Sequence, residues 1–301
     1  MAYHIPVLLK ETIEYLDIKK DEWYIDCNLG GGGHTAAILE KGGKVVGIDL
    51  DAEAIEESSE RFDLKVEKID GKLIAKSENI ILVQENFINI HEVINKLNIP
   101  QPKGILFDLG ISSHQLDERE RGFSFMDDAD LDMRMNQNSD EPTAADIVNA
   151  LNEKELSQLF FEFGEEYRAK QIAHAINEYK KNKLIKSTHE LASIVLSVKR
   201  KGKYDRIHPA TQVFQALRII TNDELNNIKI GLQKATEILD KDGLLVVISF
   251  HSLEDRIVKN FIRDNESQLE SLTKKPLEAT LDELFDNSRA RSAKLRAAKK
   301  T

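Results

Sequence analysis

Residues 23 to 51 constrain this chain more than any other stretch. Trp23-Tyr24-Ile25-Asp26-Cys27 is aromatic, β-branched and apolar enough to predict a buried strand. Four glycines, Gly30 to Gly33, come next, and a helical stretch opens at His34-Thr35 and runs through Ala36, Ala37, Ile38 and Leu39. A strand feeding a glycine turn feeding a helix lets a ligand approach bare backbone N–H groups at a helix N-terminus. A second apolar strand, Lys44 to Ile48, ends in Asp49, nineteen residues after Gly30. An acid at about that distance accepts hydrogen bonds from a ribose bound across the first turn.

The dinucleotide fingerprint fails on inspection. Counted from Gly30 it wants glycine at 30, 32 and 35, and position 35 is Thr. A pyrophosphate therefore fits poorly. S-adenosylmethionine carries no phosphate, and its cationic methionine end needs a close backbone approach more than an anion nest. A flexible turn with no ligand is the plain alternative, but four consecutive glycines lose much conformational entropy on folding. Asp51 reads as the cap of the next helix, with Glu53 and Glu56 in its first turns.

With 301 residues the chain can bury a full core in one large domain or two unequal ones. No run of 18 apolar residues exists, and Met1-Ala2-Tyr3-His4-Ile5-Pro6 lacks a signal pattern, so the expectation is a cytoplasmic protein without membrane contact. The single cysteine, Cys27, sits in a strand and reads as a buried spectator rather than a nucleophile or metal ligand; no metal is expected. A net charge of −10 argues against an all-over basic surface, while leaving room for local positive charge.

Taken in order, residues 7–16 predict a short amphipathic helix and residues 52–61 another. Residues 65–77 read as a charged, irregular excursion, and Asn79 to Gln84 as a third strand. Phe87, just past that strand, is placed to stack beside an adenine or to fill the core. A helix over 88–97 stops before Pro100, and Gly104 to Gly110 makes a fourth strand. Strands alternating with helices imply a doubly wound parallel sheet whose ligand crevice lies at the carboxyl ends of the strands. Gly30, Asp49, Phe87 and Asp108 all fall at such ends. The stretch from Ile111 to about Ser139 has no periodicity and reads as a long functional loop, with Ser112, Ser113 and Gln115 able to hold a base and Phe123 and Phe125 able to stack on one.

From Thr143 to Val198 the pattern is helical only, with Thr143/Asp146 and Asn152/Glu155 as N-terminal caps. Pro142 and Pro209 bracket this segment, so the chain divides into an α/β domain over 1–138 and 209–301 and a helical insertion over 139–208. The insertion holds two basic runs: Lys180, Lys181, Lys183 and Lys186, then Lys199, Arg200, Lys201, Lys203 and Arg206. Few acids interrupt them, which points to RNA-backbone contact. Residues 210–239 are helical with a break at Asn222-Asp223, and Leu244 to Phe250 is a fifth buried strand. His251 at its end is a candidate site residue, and Ser252 with Asp255 would cap the helix that opens there. The last 13 residues hold six basic groups and no acid, suiting either a basic final strand or an RNA-touching tail.

These stretches together resemble the bacterial 16S rRNA (cytosine-N4)-methyltransferase family, which modifies a cytidine of the small-subunit decoding region. The resemblance rests on His4-Ile5-Pro6-Val7-Leu8-Leu9, Gly31-Gly32-Gly33-His34-Thr35, Ile48-Asp49-Leu50-Asp51 and the long run from Phe107 to Asp117. It continues through Arg121 to Phe125, Leu131 to Met135, His208 to Thr211, Ile248 to Arg256 and Arg289-Ala290-Arg291-Ser292, covering nearly the whole chain. The chain departs from the family at Asn287-Ser288-Arg289, where a proline commonly stands before the arginine, at Glu85-Asn86-Phe87, where a glycine is usual nearby, and in the short segment before Pro276. The resemblance implies a Rossmann-like class I S-adenosylmethionine methyltransferase sheet with an inserted all-helical domain that recognises rRNA. It implies cofactor contacts at Gly32, Gly33, His34, Asp49, Phe87, Asp108 and Gln115. Its substrate would be 16S rRNA within the small subunit, and the basic residues read from charge, Lys180, Lys181, Lys183, Lys199, Arg200, Lys201, Lys203, Arg289 and Arg291, are the suspected contacts.

An amino-methyltransferase must hold a delocalised, weakly nucleophilic amine in line with the methyl and accept its hydrogens. The turn from Asp108 to Ser113 is expected to supply the acceptors (Asp108, Ser112 and Ser113), with His251 as a secondary candidate and the base flipped out to reach them. Two rivals share much of this pattern: a nicotinamide-dependent oxidoreductase, disfavoured by Thr35, and a non-catalytic rRNA-binding assembly factor, disfavoured by the intact glycine turn and Asp49.

Overall fold

The computed structural model describes residues 6–200, 202 and 207–301, so His4, Ile5, Lys201, Lys203 and Arg206 lie outside the described residues. The strands are β1 (Trp23–Asp26), β2 (Lys44–Asp49), β3 (Val66–Ile69), β4 (Lys72–Lys76), β5 (Ile80–Gln84), β6 (Gly104–Asp108), β7 (Leu244–Ser249), β8 (Leu269–Ser271) and β9 (Lys294–Lys300). The first helices are α1 (Leu9–Leu16), α2 (Gly33–Glu40), α3 (Ala52–Arg61), α4 (Ile90–Leu97), α5 (Ser113–Asp117), α6 (Ala144–Ala150) and α7 (Glu153–Gly164). They continue with α8 (Ala169–Lys180), α9 (Thr188–Val198), α10 (Thr211–Thr221), α11 (Glu224–Ile238), α12 (Ser252–Asp264) and α13 (Leu281–Asp286). Two compact units result, one within Met1–Ser112 and Leu225–Thr301, the other Ser113–Glu224.

The first unit is built on a nine-stranded sheet in the order β3-β4-β5-β2-β1-β6-β7-β9-β8. Its centre, β5-β2-β1-β6-β7, is parallel throughout, with Ile25 opposite Val46 on one side and Ile105 on the other. Such strands are covered on both faces and so read as apolar runs. Successive residues still face opposite ways. Ile25, Val46, Ile105, Phe107 and Val247 pack with Ile228, Leu232 and Ala235 of α11, Ile90 and Val93 of α4, and Val258 of α12. Tyr24, Val45, Leu106, Val246 and Ile248 pack the other way, against Leu16 of α1 and Ile38 of α2.

One expectation changes here, and one open pair of alternatives is decided. Residues 65–77 are a β-hairpin, β3 pairing antiparallel with β4 and β4 with β5, instead of an irregular excursion. Asp70 and Gly71 at its tip both have positive φ, 52° and 84°, the conformation an Asp-Gly turn between strands favours. The basic C-terminal run is a strand: β9 lies antiparallel between β7 and the short β8. A dinucleotide sheet keeps six parallel strands in the order 3-2-1-4-5-6. The reversed β9 in the sixth place departs from that order and weakens the nicotinamide alternative.

The second unit is larger than the 139–208 insertion expected. The segment from Ser113 to Ser139 belongs to it because its backbone is tied to helices on either side of the expected boundaries. Asp130 bridges Ser187, Leu131 N–H donates to Lys186 O at 2.9 Å, and Thr188 N–H donates to Ala129 O at 2.9 Å. Asn222 holds the same segment from the far end, donating to Met133 O and accepting from Met135 N–H, both at 2.8 Å. Buried Arg121 donates to Met135 O at 2.8 Å, and Arg134 makes a two-pronged pair with Asp132 while also reaching Ser139 O. Guanidinium, asparagine and backbone bonds order this run around the buried Phe123, Leu131 and Met133, an arrangement that leaves no helical or strand periodicity. Phe123 is buried, and Phe125 stacks on His208 at 4.4 Å with its edge to Phe214, so both rings are engaged within the unit.

Its helices follow their caps. Thr143/Asp146 and Asn152/Glu155 form reciprocal capping boxes at α6 and α7, as the spacing predicts, and Ser187/Glu190 forms a third at α9. Buried Leu156, Leu159 and Phe160 of α7 and Ile172, Ala173 and Ile176 of α8 make the apolar faces. At Gly164 a Cβ would lie 2.4 Å from the Gln212 carbonyl oxygen of α10. Backbone cannot yield as a side chain can, so Gly164→Ala is expected to destabilise the protein by about 1–3 kcal/mol. Thermal denaturation should show a midpoint lowered by several degrees.

Candidate active site

The carboxyl ends of β1, β2 and β6 each finish on an acid: Asp26, Asp49 and Asp108. Because β2 and β6 flank β1 on opposite sides, the crossovers leave β1 in different directions and open a crevice at this rim. Asp26 is almost fully buried (1% exposed) and accepts a hydrogen bond from Thr35 Oγ1 at 2.8 Å. Burial pushes its carboxyl up to about 6, against the lowering influence of His34 and Thr35. Thr35, which spoils the dinucleotide fingerprint, thus answers a buried carboxylate. Sequence reading passed Asp26 over as part of a strand; its signal was an acid closing a buried strand just before the glycines.

Asp49 accepts from Gly30 N–H through Oδ2 and from Asp51 N–H through Oδ1, both at 2.9 Å. Burial raises its carboxyl to about 7, and the two N–H groups oppose the rise. Its side chain is only half-buried, which leaves it within reach of water or a ligand. Asp51 caps α3 by accepting from Glu53 N–H at 3.1 Å.

The glycine turn runs between these acids. Gly30 and Gly32 have φ of +48° and +69°, conformations that side chains rarely adopt. A Cβ on Gly33 would fall 2.3 Å from Pro6 Cγ. Gly32 stands at the N-cap of α2 and, having no side chain, makes no side-chain cap to the first N–H groups of that helix. His34 is buried (4% exposed), with Nε2 standing 3.5 Å from Asp108 Oδ2. At that distance the contact is electrostatic more than a good hydrogen bond. Burial lowers the imidazole pKa, but Asp108 and Asp26 outweigh it and the net shift is upward.

Among the described residues, both ring nitrogens of His34, Oδ1 of Asp108 and Oδ1 of Asn28 are buried without a hydrogen-bond partner. Such atoms are rare in folded proteins, and their gathering at one rim fits a ligand that carries both donors and acceptors. Phe87 follows β5, the neighbour of β2; its ring meets Phe107 edge-on at 5.4 Å and fills the space above Gly231 of α11. The ring is half-buried, packed in the core while keeping some exposure. Ser112 lies over the glycine turn, its Cβ 3.7 Å from where a Cβ on Gly30 would be. Ser113 opens α5, and Gln115 is buried on it; both belong to the other unit.

His251 departs from expectation. It, not Ser252, caps α12, its Nδ1 accepting from Glu254 N–H at 3.4 Å. Fully buried Glu254 returns the bond by accepting from His251 N–H and Phe250 N–H, and its Oε1 lies 3.2 Å from His251 Nε2. The ring is therefore held to the start of α12.

The basic residues expected at RNA mostly have protein partners. Lys180 donates to the carbonyls of Val148, Asn149 and Leu151 at the end of α6, where cations suit the helix dipole. Lys181 pairs with Glu178, Lys183 with Glu190, and Lys199 with buried Glu166 and with Gln212. Arg200 and Arg291 are exposed and Arg289 is half-buried. In β9, Arg296 pairs with Asp255 and Lys299 with Asp242.

A family model described as the MraW methylase family matches residues 1–301. The Ribosomal RNA small subunit methyltransferase H of Carboxydothermus hydrogenoformans is 44% identical over 316 residues, covering 99% of this chain and 97% of that protein. The protein of the same name from Clostridium botulinum is 42% identical over 318 residues, covering 99% and 98%. Among solved structures, an rRNA methylase from Streptococcus thermophilus is a remote likeness at 11% identity and a TM-score of 0.46, covering 99% of this chain and 98% of that one.

An acid that titrates near 7 must lose its proton before it can accept both hydroxyls of a ribose. Binding of a ribose-bearing ligand should therefore release a proton and tighten as pH rises until Asp49 is ionised. Affinity for S-adenosylhomocysteine is expected to increase about tenfold between pH 6 and pH 8 by calorimetry. Asp49→Asn should weaken binding and flatten that dependence.

Proposed function

The chain belongs to the MraW methylase family, and on that premise we propose that it methylates the exocyclic N4 amine of a cytidine in 16S rRNA of the small ribosomal subunit. It is a methyltransferase dependent on S-adenosylmethionine, and the names of its relatives supply the substrate class. The observation that carries the reading is the set of unpartnered buried atoms on His34, Asp108 and Asn28 beside an uncapped glycine turn. That set is polar and mixed, and it lacks the third glycine that a pyrophosphate requires.

Each residue has a part in this reading. The backbone of Gly32, Gly33 and His34 meets the methionine end of the cofactor, Asp49 the ribose and Phe87 the adenine; Gln115 is assigned on the family resemblance alone. When bound, S-adenosylmethionine supplies an electrophilic methyl on a sulfonium sulfur. The cytosine amine is a poor nucleophile because its lone pair is delocalised into the ring. Asp108, with Oδ1 unpartnered at the end of β6, accepts a hydrogen of that amine and localises the lone pair as the N–C bond forms. Ser112 shares its turn and offers a further acceptor to a base swung out of its stack, and Ser113 opens the helix that follows. One proton is then released to water, so no strong base is needed. His251, engaged with Glu254, is the weaker candidate.

The unit Ser113–Glu224 is the part proposed to recognise rRNA. Exposed ion pairs such as Lys181–Glu178 contribute little, so those lysines can exchange a carboxylate for a phosphate. Lys180 is a different case, since it closes the end of α6. Arg200, Arg289 and Arg291 complete the proposed contacts. No helix among the described residues is long and apolar enough to cross a membrane, and we place the protein in the cytoplasm with the ribosome.

The test is transfer of tritiated methyl from S-adenosylmethionine to unmodified small subunits, compared with naked 16S rRNA. Label is expected at N4 of a cytidine, on the subunit more than on the naked RNA. Asp108→Asn should lower kcat by about 10²-fold or more while S-adenosylhomocysteine still binds. Unchanged turnover in that variant would remove Asp108 from the chemistry.

A further inference from the structure

We infer that one face of α3, made by Ser58, Arg61 and the following Phe62, is an outer jaw that holds the glycine turn in its binding shape, with Arg61 as a positioning residue for the cofactor. The inference rests on the reading of that turn as the cofactor's cradle. Residues three and four apart share a helix face. Ser58 Oγ donates to the Gly30 carbonyl at 2.8 Å, and Arg61 Nη1 donates to the Gly31 carbonyl at 2.7 Å. Phe62 sits against the next glycine: a Cβ on Gly32 would be 2.8 Å from its ring and 3.1 Å from Ser58 Oγ. The Arg61 guanidinium lies 5.7 Å from the centre of the same ring. Three successive residues of the turn are thus met by three side chains of one helix face.

Peptide planarity turns this contact into a statement about the opposite side of the turn. In a trans peptide the carbonyl and the following N–H point in opposite directions. Drawing the Gly30 carbonyl towards Ser58 sends the Gly31 N–H away from α3. Drawing the Gly31 carbonyl towards Arg61 sends the Gly32 N–H to the Leu29 carbonyl, which it reaches at 2.8 Å. The jaw thereby selects one arrangement of a four-glycine segment that has more freedom than any other sequence of its length.

The carbonyl side matters because the N–H side is exchangeable. Asp49 also holds the turn, through Gly30 N–H, yet Asp49 is the acid assigned to the ribose. Any turn of its carboxylate towards a ribose hydroxyl loosens the grip on Gly30. Ser58 and Arg61 bond to carbonyl oxygens that a ribose does not compete for, so their hold persists through binding. Ser58 is fully buried and Arg61 half-buried, so the donors lie between α3 and the turn.

An arginine in the last turn of α3 also favours its helix dipole, so a loss of stability alone would say nothing about positioning. The experiment compares Arg61→Met, which keeps the stem and removes the donors, with Arg61→Lys, which keeps one cationic donor. The full chain is titrated calorimetrically with S-adenosylhomocysteine, and amide exchange over residues 30–33 is followed without ligand. Arg61→Met is expected to raise Kd about tenfold, the lower range for a charged donor at a half-exposed site. It should raise the cofactor KM similarly, leave kcat at saturating cofactor within about twofold, and speed exchange in the turn. Arg61→Lys should recover part of the loss. Wild-type Kd and exchange in Arg61→Met, with only a lower melting temperature, would overturn the inference. Asp49→Asn run alongside separates the two readings: weakened binding there with none in Arg61→Met sinks the jaw alone, whereas unchanged binding in Asp49→Asn sinks the cradle.

Discussion

Parallel pairing of β1 with β2 on one side and β6 on the other is the constraint from which the rest follows. Parallel strands end at the same rim, so three carboxylates arrive within one crevice although 82 residues separate the first from the last (26 to 108). Burial at that rim raises the pKa of Asp26 and Asp49, with neighbouring carboxylates adding a lesser push, and it needs donors in return. Thr35 answers Asp26, backbone N–H groups answer Asp49, and His34 stands against Asp108. What is still unanswered, on His34, Asp108 and Asn28, defines the chemistry of the guest.

Much of this was legible because the signals are local. A glycine run between an apolar strand and a helix, and the acids closing β2 and β6, can be read along the chain without knowing what lies beside them. The Asp51 cap and the two predicted capping boxes are likewise short-range, and the structure reproduces them. Asp26 escaped because its role depends on Thr35 one turn into α2, and a buried carboxyl in an apolar run looks like an exception to patterning. His251 escaped for a related reason: serine is the ordinary cap, and nothing local says that Glu254 is buried deeply enough to recruit the imidazole.

The hairpin of β3 and β4 and the extent of the helical unit were hidden differently. Charged residues alternate so densely over 65–77 that apolar periodicity vanishes, and only Asp70-Gly71 marks the turn. Residues 113–139 are organised by arginine, asparagine and backbone groups, whose partners lie up to 89 residues away in sequence. In the basic runs it is the partners that sequence conceals. Lysines that look unopposed in sequence are opposed in space: Lys199 by Glu166 33 residues before it, and Lys180 by helix-end carbonyls that no charge count includes. Local charge density therefore overstates the cation available to a phosphate.

The interrupted sheet also sets a timetable. β6 is made early, but its partner β7 begins only at Leu244, after the whole helical unit has been synthesised. At roughly 5–20 residues per second the ribosome needs on the order of ten seconds to bridge that gap. Throughout that interval the β6 edge of the nascent sheet stands open. β9, wedged between β7 and β8, is the last piece to arrive. Early termination would therefore leave an unfinished sheet with a bare flank, a substrate for chaperones more than a smaller enzyme.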